Sequence, residues 1–128
     1  MNPPSDIKKE TVLHGVVFRE GDRVMQIRNN YEIEWEDLND PAIKGSGVFN
    51  GEMGILMRID TKNKEASVVF DDNRLVVYDF MHMTDVEHCY AVTVHKSQGS
   101  EFDYCVIPVM EGAPMLMTRN LLYTAITR

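Results

Sequence analysis

Apolar and polar residues alternate in short runs between residues 12 and 85, and this pattern constrains the fold more than any other feature of the chain. Alternation with a period of two places successive side chains on opposite faces, as in half-buried β-strands. Tight polar turns separate the runs, and Asn50-Gly51 is the clearest of them. The apolar positions of the runs are Val16 and Phe18, Met25 and Ile27, Met53, Ile55, Met57 and Ile59, and then residues 66–70 and 75–80.

This succession of short strands and tight turns predicts an antiparallel sheet that closes on itself. Closure removes the exposed strand edges that a small open sheet would present to other chains. We therefore expect a small SH3-like antiparallel barrel over residues 12–85. Three methionines on the strand faces, Met25, Met53 and Met57, are expected to fill its core rather than to form a ligand surface.

An acidic stretch without a clear period interrupts the alternation between residues 31 and 46. It is predicted to be a loop whose carboxylates are solvated, rather than a site for a metal or a basic partner. The carboxylates concerned are Glu32, Glu34, Glu36, Asp37 and Asp40. Asn29, Asn30 and Tyr31, which come just before, suit either contacts with a DNA strand or the hydrogen bonds of a turn.

The pattern changes in the stretch Tyr-Ala-Val-Thr-Val-His-Lys-Ser-Gln-Gly-Ser-Glu-Phe, residues 90–102. Residues 91–93 are expected to end a buried strand, and Thr93 to cap a helical turn through Gln98 that Gly99 closes. Such a junction points unpaired backbone N–H groups outward, so with Lys96 and several hydroxyls it suits a phosphate. Glu101 follows, where its carboxylate can accept hydrogen bonds from sugar hydroxyls.

A strand and a helix are predicted after this stretch. Residues 104–109 are almost entirely apolar, as expected for a strand that is covered on both faces. Thr118 can cap a helix from Arg119, in which Leu122, Ala125 and Ile126 share one face. Residues 86–128 are therefore predicted to be part of an α/β layer, and the fold class of the whole chain to be mixed β and α/β.

The charge of the chain argues against DNA binding by this segment on its own. Its 128 residues include 20 acids and 13 bases, which gives a net charge of −7. Most of the acidic excess lies in residues 1–85, the region of the predicted barrel. A free-standing nucleic-acid binder is expected to carry a basic patch instead.

The sequence also supports expectations about location, the N-terminal residues, the cysteines and metal binding. No run of about 18 apolar residues and no signal-peptide pattern is visible, so we expect a cytoplasmic chain that does not enter a membrane. Residues 1–11 are predicted to be a flexible, disordered lead-in. Cys89 and Cys105 are expected to be buried thiols in a reducing compartment. Neither the cysteines nor the histidines have metal-ligand spacing, and no metal site is predicted.

Two runs of the sequence resemble motifs of a known family. Residues 93–102, Thr-Val-His-Lys-Ser-Gln-Gly-Ser-Glu-Phe, resemble motif V of superfamily 1 helicases, in the form typical of the RecD/TraA branch. The closing run Leu-Leu-Tyr-Thr-Ala-Ile-Thr-Arg, residues 121–128, resembles motif VI of that branch. RecD-like helicases carry an SH3-like insertion in their second RecA-like domain, just before motif V. The sequence of that insertion is similar to residues 21–25 and 49–54 of this chain.

The resemblance implies a division of roles among the residues of the two motifs. Arg128 corresponds to the motif VI arginine that reaches the γ-phosphate of ATP and stabilises charge in the transition state. Glu101 corresponds to the acid that binds the ribose, with Gln98 and Gly99 beside it on the nucleotide side. The residues that correspond to the DNA-facing part of motif V are Thr93, His95, Lys96 and Ser97.

The resemblance also implies a larger enzyme. The family unwinds duplex DNA with 5′-to-3′ polarity using ATP and Mg²⁺, either alone or within exodeoxyribonuclease V. The phosphate-cradle motif G-x-x-x-x-G-K-[S/T] does not occur in this sequence, so the segment is expected not to hydrolyse ATP by itself. Its expected partners are the first RecA-like domain of the same parent chain, single-stranded DNA and, in some family members, nuclease or helicase subunits.

Other interpretations stay open at this point. A conjugative relaxase-helicase of the TraA type shares both motifs. The barrel could instead be a non-catalytic protein-docking module with the motif region as its scaffold, which the acidic charge favours. At single positions, Arg128 could complement a helix dipole, Glu101 could be a turn carboxylate and His95 a surface histidine.

Overall fold

The structure is a computed structural model that describes residues 2–97, 102–108 and 119–127. It divides into two compact units, residues 1–90 and 91–128. The first unit contains the strands β1 (Glu10–Leu13), β2 (Val16–Arg19), β3 (Arg23–Gln26), β4 (Asn30–Asp37), β5 (Lys44–Val48), β6 (Met53–Asp60), β7 (Glu65–Phe70), β8 (Arg74–Asp79) and β9 (Val86–His88). A short 3-10 helix, His82–Asp85, connects β8 to β9, and the second unit contains the helix α1 (Arg119–Ile126).

Seven strands form one antiparallel sheet in the order β5-β4-β8-β7-β6-β3-β9, and β1 and β2 form a separate hairpin. Leu13 pairs with Val16 across that hairpin, so only His14 and Gly15 connect its strands. Both connecting residues have positive φ angles, 51° and 81°. A two-residue type I′ turn requires this backbone, and it matches the twist of the strands on either side.

The seven-stranded sheet curls around a single core. Val48 on β5 and Val86 on β9 lie at opposite ends of the strand order, yet both are buried in the same apolar cluster as Val68 on the central strand β7. This curled half-barrel agrees with the predicted SH3-like architecture. The predicted closure is not observed, because β5 and β9 do not pair with each other in the described part of the chain.

The alternation of β6 follows the predicted period with a change of phase. Leu56 and Ile59 are completely buried, whereas Ile55 and Met57 are 40% and 57% exposed. The pairing of β6 with β7 shifts register between Leu56 and Arg58, which marks a β-bulge. A bulge inserts one extra residue and so moves the following side chains to the other face. Met57 shares the outward face with Ile55, so the prediction that it belongs to the core is wrong, and the bulge explains why Ile59 is nevertheless buried like Leu56. Met25 is buried as predicted.

The acidic stretch that was predicted to be a loop forms two strands instead. Residues 30–37 are β4 and residues 44–48 are β5, with only a short connection between them. Ile33 and Trp35 pack against the core from β4. Only these two side chains of the stretch point inward, and five carboxylates surround them in the sequence. The apolar alternation that indicates a strand is therefore weak, and the strand was not predicted. The outward glutamates lie on a strand face rather than in a loop.

The first residues of the chain are bound to the barrel unit. The side-chain amide of Asn2 donates hydrogen bonds to the carbonyl of Glu20 (2.9 Å) and to the Asp22 carboxylate (3.0 Å). The backbone carbonyl of Asn2 accepts a hydrogen bond of 2.7 Å from the Arg19 guanidinium. Strand β1 begins at Glu10. The structure thus differs from the predicted disordered lead-in over residues 1–11, because sequence composition does not reveal such distant hydrogen bonds.

The second unit contains the predicted helix, but the described residues show no strand in it. Residues 91–93 and 104–108 have no strand structure, and Tyr104 and Val106 are 95% and 94% exposed. A strand needs neighbouring strands to satisfy its backbone N–H and C=O groups. The predicted RecA-like α/β segment is therefore not observed in these residues.

Two smaller predictions about this region also need correction. On helix α1, Ala125 is buried as predicted, but Leu122 and Ile126 are 45% and 67% exposed. The thiol of Cys89 is buried, whereas Cys105 is exposed. The apolar run around Cys105 suggested a covered strand, and the cysteine is exposed because that strand is not formed.

Candidate functional site

The residues predicted to face DNA, which lie between Thr93 and Ser97, belong to a single hydrogen-bonded turn. The amide of Ser97 donates to the carbonyl of Thr93 at 3.1 Å, which closes one helical turn. The amide of Lys96 donates to the Thr93 hydroxyl at 3.3 Å. A threonine at the N-cap satisfies an amide that the first turn of a helix leaves unpaired. The cap predicted at Thr93 is therefore present.

The side chains of this turn divide between an exposed and a buried side. Thr93, His95 and Lys96 are exposed, so these three of the predicted DNA-facing residues lie together at the surface of the turn. Ser97 is only 6% exposed, and its hydroxyl donates a hydrogen bond of 2.7 Å to the carbonyl of Val94. In this conformation Ser97 stabilises the turn from its buried side.

The predicted residues on the nucleotide side cannot be placed in the same way. Gln98, Gly99, Glu101 and Arg128 all lie outside the described residues. Their assignments therefore stay predictions.

An apolar cavity of about 260 Å³ lies within the second unit. Neither carboxylates nor cationic groups line it, so it suits packing against apolar side chains rather than binding a phosphate. The buried Ser97 lines this cavity, so the cavity lies on the buried side of the turn. Its apolar lining includes Val92, Val94, Phe102, Ile107 and Ala125.

A second polar centre, which was not predicted as a site, lies in the barrel unit. The carboxylate of Asp22 is 3% exposed and accepts four hydrogen bonds. Its Oδ1 atom accepts from the Tyr90 hydroxyl (2.7 Å) and from the Asn2 amide (3.0 Å). Its Oδ2 atom accepts from the Arg19 backbone N–H (2.7 Å) and from Nε2 of His88 (2.9 Å). A carboxylate can only accept, so Nε2 is the protonated nitrogen of His88.

These hydrogen bonds keep Asp22 ionised. Burial raises the pKa of the Asp22 carboxyl, but the hydrogen bonds from Tyr90, Asn2, His88 and the Arg19 amide outweigh it, so the pKa lies below its ordinary value of 3.8. The sequence analysis did not single out Asp22. A signal was nevertheless available, because His88 and Tyr90 alternate and therefore share one side of an extended segment.

Residues 29–31 were left open between DNA contact and turn chemistry. The Asn30 side chain accepts hydrogen bonds of 3.1 Å from the amides of Glu32 and Ile33, which is turn chemistry. Tyr31 is 66% exposed and packs edge to face on Phe49, with ring centroids 5.6 Å apart. The structure thus explains Asn30 locally and leaves the Tyr31 ring at the surface.

Nowhere in residues 2–97, 102–108 and 119–127 do three or more histidine, cysteine, aspartate or glutamate side chains gather in a way that could hold a metal ion. Within the same ranges, helix α1 is too short and too polar to cross a membrane.

Comparison with models of known protein families identifies the class of protein to which this chain belongs. Residues 1–70 match the family model described as the ATP-dependent RecD-like DNA helicase SH3 domain. Residues 88–128 match the model described as the UvrD-like helicase C-terminal domain. The chain therefore contains a curled half-barrel followed in sequence by a segment that matches a helicase C-terminal domain. The chain belongs to the RecD-like DNA helicase family.

Individual relatives agree with this assignment. The chain is 34% identical over 111 residues to the ATP-dependent RecD2 DNA helicase of Deinococcus radiodurans, which covers 86% of this chain and 13% of that protein. It is 34% identical over 90 residues to the RecBCD enzyme subunit RecD of Mycolicibacterium smegmatis, covering 70% of this chain and 15% of the relative. The conjugal transfer protein TraA of Agrobacterium fabrum is 30% identical over 113 residues, covering 87% and 9%. The chain thus spans only a small part of these relatives.

Proposed function

We propose that this chain is a C-terminal part of an ATP-dependent 5′-to-3′ DNA helicase. Residues 12–85 would be its SH3-like insertion, and residues 86–128 the part of its second RecA-like domain that carries motifs V and VI. The observation that carries the proposal is the order of the two family matches, with the barrel followed at once by the helicase segment. The similarity to the ATP-dependent RecD2 DNA helicase of Deinococcus radiodurans, which extends over 86% of this chain, supports the proposal.

The exposed side of the Thr93–Ser97 turn would bind the backbone of single-stranded DNA. Lys96 supplies a cation for a phosphate, and the Thr93 hydroxyl and the His95 ring supply donors beside it. The capped turn fixes the spacing of these groups before DNA arrives. Because the chain carries a net charge of −7, the affinity would depend on this small set of contacts and on the rest of the enzyme.

ATP and Mg²⁺ would bind in the complete enzyme between this segment and the first RecA-like domain. Arg128 would reach the γ-phosphate, and Glu101 would bind the ribose, with Gln98 and Gly99 beside it. A planar guanidinium that is always charged suits the developing charge of phosphoryl transfer. The sequence contains no phosphate cradle of its own, so this segment alone would not hydrolyse ATP.

The surface of the second unit supports the idea that it belongs to a larger core. Tyr104 and Val106 are almost completely exposed, and Tyr123 and Ile126 on helix α1 are 71% and 67% exposed. Large apolar side chains that are exposed together mark surfaces that normally contact another part of a protein. The remainder of a RecA-like domain is the partner that this proposal requires.

A second candidate is a conjugative relaxase-helicase. The similarity to the Agrobacterium TraA protein favours it, because that match covers 87% of this chain. A relaxase domain in the parent protein would select this alternative, whereas its absence would favour a RecD-type helicase. If the barrel were only a protein-docking module, substitutions in residues 93–97 would not change DNA binding.

The proposal can be tested in the full-length parent protein by measuring oligonucleotide binding and DNA-stimulated ATP hydrolysis. Lys96→Ala is expected to weaken binding about tenfold and to reduce the slope of log affinity against log salt by about one. Lys62→Ala removes the same charge from an exposed turn of the barrel and is the matched control. Arg128→Ala is expected to lower kcat for ATP by about 10³-fold or more. Binding that is absent at every salt concentration would refute the proposal.

A further inference from the structure

The outer face of the seven-stranded sheet carries apolar side chains across three neighbouring strands. Ile55 of β6 pairs with Val69 of β7, and Val69 pairs with Leu75 of β8. Val68 and Val76, their neighbours in sequence, are completely buried, so Val69 and Leu75 lie on the opposite, outer face. Ile55 is exposed, and Val69 and Leu75 are half-buried. The solvated face of an antiparallel sheet is normally polar, so this outer face is unusual.

Two further side chains widen this apolar surface. Met57 on β6 is 57% exposed, and Val77, the next outward residue after Leu75 on β8, is 49% exposed. Side chains that are directly opposite each other on neighbouring strands lie about 5 Å apart. Ile55, Met57, Val69, Leu75 and Val77 therefore form one surface, called here the outer strip. Large apolar side chains that are exposed next to each other mark surfaces that bind another chain.

Carboxylates border the outer strip on β4. Leu75 pairs with Glu36, and Nζ of Lys44 lies 3.4 Å from Oε2 of Glu36. Glu34, two residues earlier on the same strand, is exposed, and its carboxylate has no ion pair or hydrogen bond among the described residues. An open groove of about 410 Å³ lies between the carboxylates and the strip. The residues that line it are Glu34, Trp35, Glu36, Lys44, Leu75 and Val77.

The spacing of these groups suits a helix that carries lysine or arginine along one border of an apolar stripe. Glu34 and Glu36 lie about 6.6 Å apart along β4, and residues i and i+4 of an α-helix lie about 6 Å apart along its axis. A helix is about 10 Å wide and neighbouring strands are about 4.8 Å apart. One helix along β8 would therefore cover Leu75 and Val77 with its apolar stripe and bring cations to both glutamates.

We propose that the outer strip, together with Glu34 and Glu36, is a docking surface for a basic amphipathic helix of a partner protein. Permanent interfaces resemble a domain core and are apolar throughout, whereas transient ones combine an apolar centre with a polar rim. The charged border on β4 therefore fits a partner that binds and leaves. All the residues concerned belong to the barrel unit, so the proposal does not rest on a function in DNA unwinding.

A designed peptide tests this proposal on the chain itself. The probe is a helical peptide of about 18 residues built from leucine, alanine and lysine, with leucines on one face and lysines at i and i+4 along its border. A second peptide carries glutamate in place of every lysine. The lysine peptide is expected to bind at least about tenfold more tightly, because only it complements Glu34 and Glu36. In NMR titrations it should shift the amide signals of Ile55, Val69 and Val77.

Two substitutions with matched controls separate the apolar and the charged contributions. Val77→Ser is expected to weaken binding of the lysine peptide about tenfold, whereas Val17→Ser, at a valine of similar exposure on the β1–β2 hairpin, should leave it unchanged. Glu34→Gln is expected to weaken binding about threefold and to reduce its dependence on salt. Asp6→Asn removes an exposed carboxylate elsewhere and should do neither.

Several results would overturn the proposal. The lysine peptide would fail to bind at millimolar concentration, both peptides would bind equally, or Val77→Ser and Val17→Ser would have the same effect. Binding to this chain but not to the full-length parent protein would show that another part of the parent already covers the outer strip. Dimers of the chain in sedimentation experiments that dissociate on Val77→Ser would identify a second copy, and not a partner helix, as the occupant.

Discussion

The Tyr78 hydroxyl donates a hydrogen bond of 2.9 Å to Oε1 of Gln26, and both side chains are completely buried in the barrel. The Gln26 amide in turn donates a hydrogen bond of 2.8 Å to the carbonyl of Arg28. Burial raises the pKa of Tyr78 well above its ordinary value, so the hydroxyl stays a donor at every pH at which the protein would be studied. This pair ties β8 to β3 through the core.

Tyr78→Phe is expected to lower the free energy of unfolding by about 1–3 kcal/mol, because it leaves the buried Gln26 oxygen without its donor. Tyr31→Phe, at an exposed ring, is expected to change it by less than about 0.5 kcal/mol. Urea unfolding followed by the fluorescence of Trp35, the single tryptophan, measures both. Equal effects of the two substitutions would contradict the role assigned to the pair.

Gly54→Ala is expected to destabilise the barrel more than Gly45→Ala. A Cβ atom at residue 54 would lie 2.5 Å from the carbonyl oxygen of Val69 and 3.0 Å from Cα of Phe70. Those are backbone atoms of a central strand and cannot move aside, so a loss of about 2–3 kcal/mol is expected. At Gly45 the close neighbour is the Trp35 ring, which can shift, and the loss should be nearer 1 kcal/mol. Thermal or urea unfolding that ranks the two variants in the opposite order would be inconsistent with this packing.

The contribution of Asp22 to stability is expected to depend on pH in one direction. Because its pKa is lowered in the folded chain, the stabilisation is fully present above the unfolded pKa of about 3.9 and is lost as the pH falls through the lower folded pKa. The difference in free energy of unfolding between the unsubstituted chain and Asp22→Asn should therefore be constant from about pH 7 to 5. It should shrink below about pH 4.

A series of urea unfolding curves between about pH 7 and 3 measures this difference. Asp6→Asn removes an exposed carboxylate and serves as the control, with a small difference expected throughout. A difference for Asp22→Asn that grew as the pH fell would mean that the carboxylate is not stabilised by the hydrogen bonds described.

The two cysteines are expected to react at very different rates. Burial raises the pKa of the Cys89 thiol to about 11, with a smaller opposing effect of Arg23, so only about one thiol in a thousand is ionised at pH 8. Cys105 is exposed. Iodoacetamide at pH 8, followed by peptide mass spectrometry, should therefore label Cys105 first. Preferential labelling of Cys89 would show that the end of β9 opens readily.

The sequence predicted the strands whose apolar residues are frequent and regular. Strands β2, β3, β6, β7 and β8 follow the alternating runs, and the turn at Asn50-Gly51 is present, with a φ of 95° at the glycine. It failed for β4 and β5, where carboxylates outnumber the inward Ile33 and Trp35. It also failed for the phase of β6, because apolar residues occupy both faces of that strand and a bulge after Leu56 brings Ile59 to the inward face.

In the candidate site, too, the local features could be predicted from the sequence, whereas the features that depend on tertiary packing could not. The capping role of Thr93 is a local property, since the threonine and the amides it pairs with lie within four residues of each other. The roles of Lys96 and Arg128 followed from resemblance to the family and stay predictions. The inward position of Ser97 was not predicted, because it depends on which side of the turn is covered.

The sequence by itself determined the local elements, that is, most of the barrel strands, the cap at Thr93 and the helix from Arg119, because these depend on neighbours within a few residues. It also determined the family, through runs of residues whose order is specific. Only the tertiary structure decided that Asn2, Asp22, His88 and Tyr90 meet. These residues are up to 88 positions apart, and no periodicity reports a hydrogen bond that forms only when the sheet curls and brings β3 beside β9.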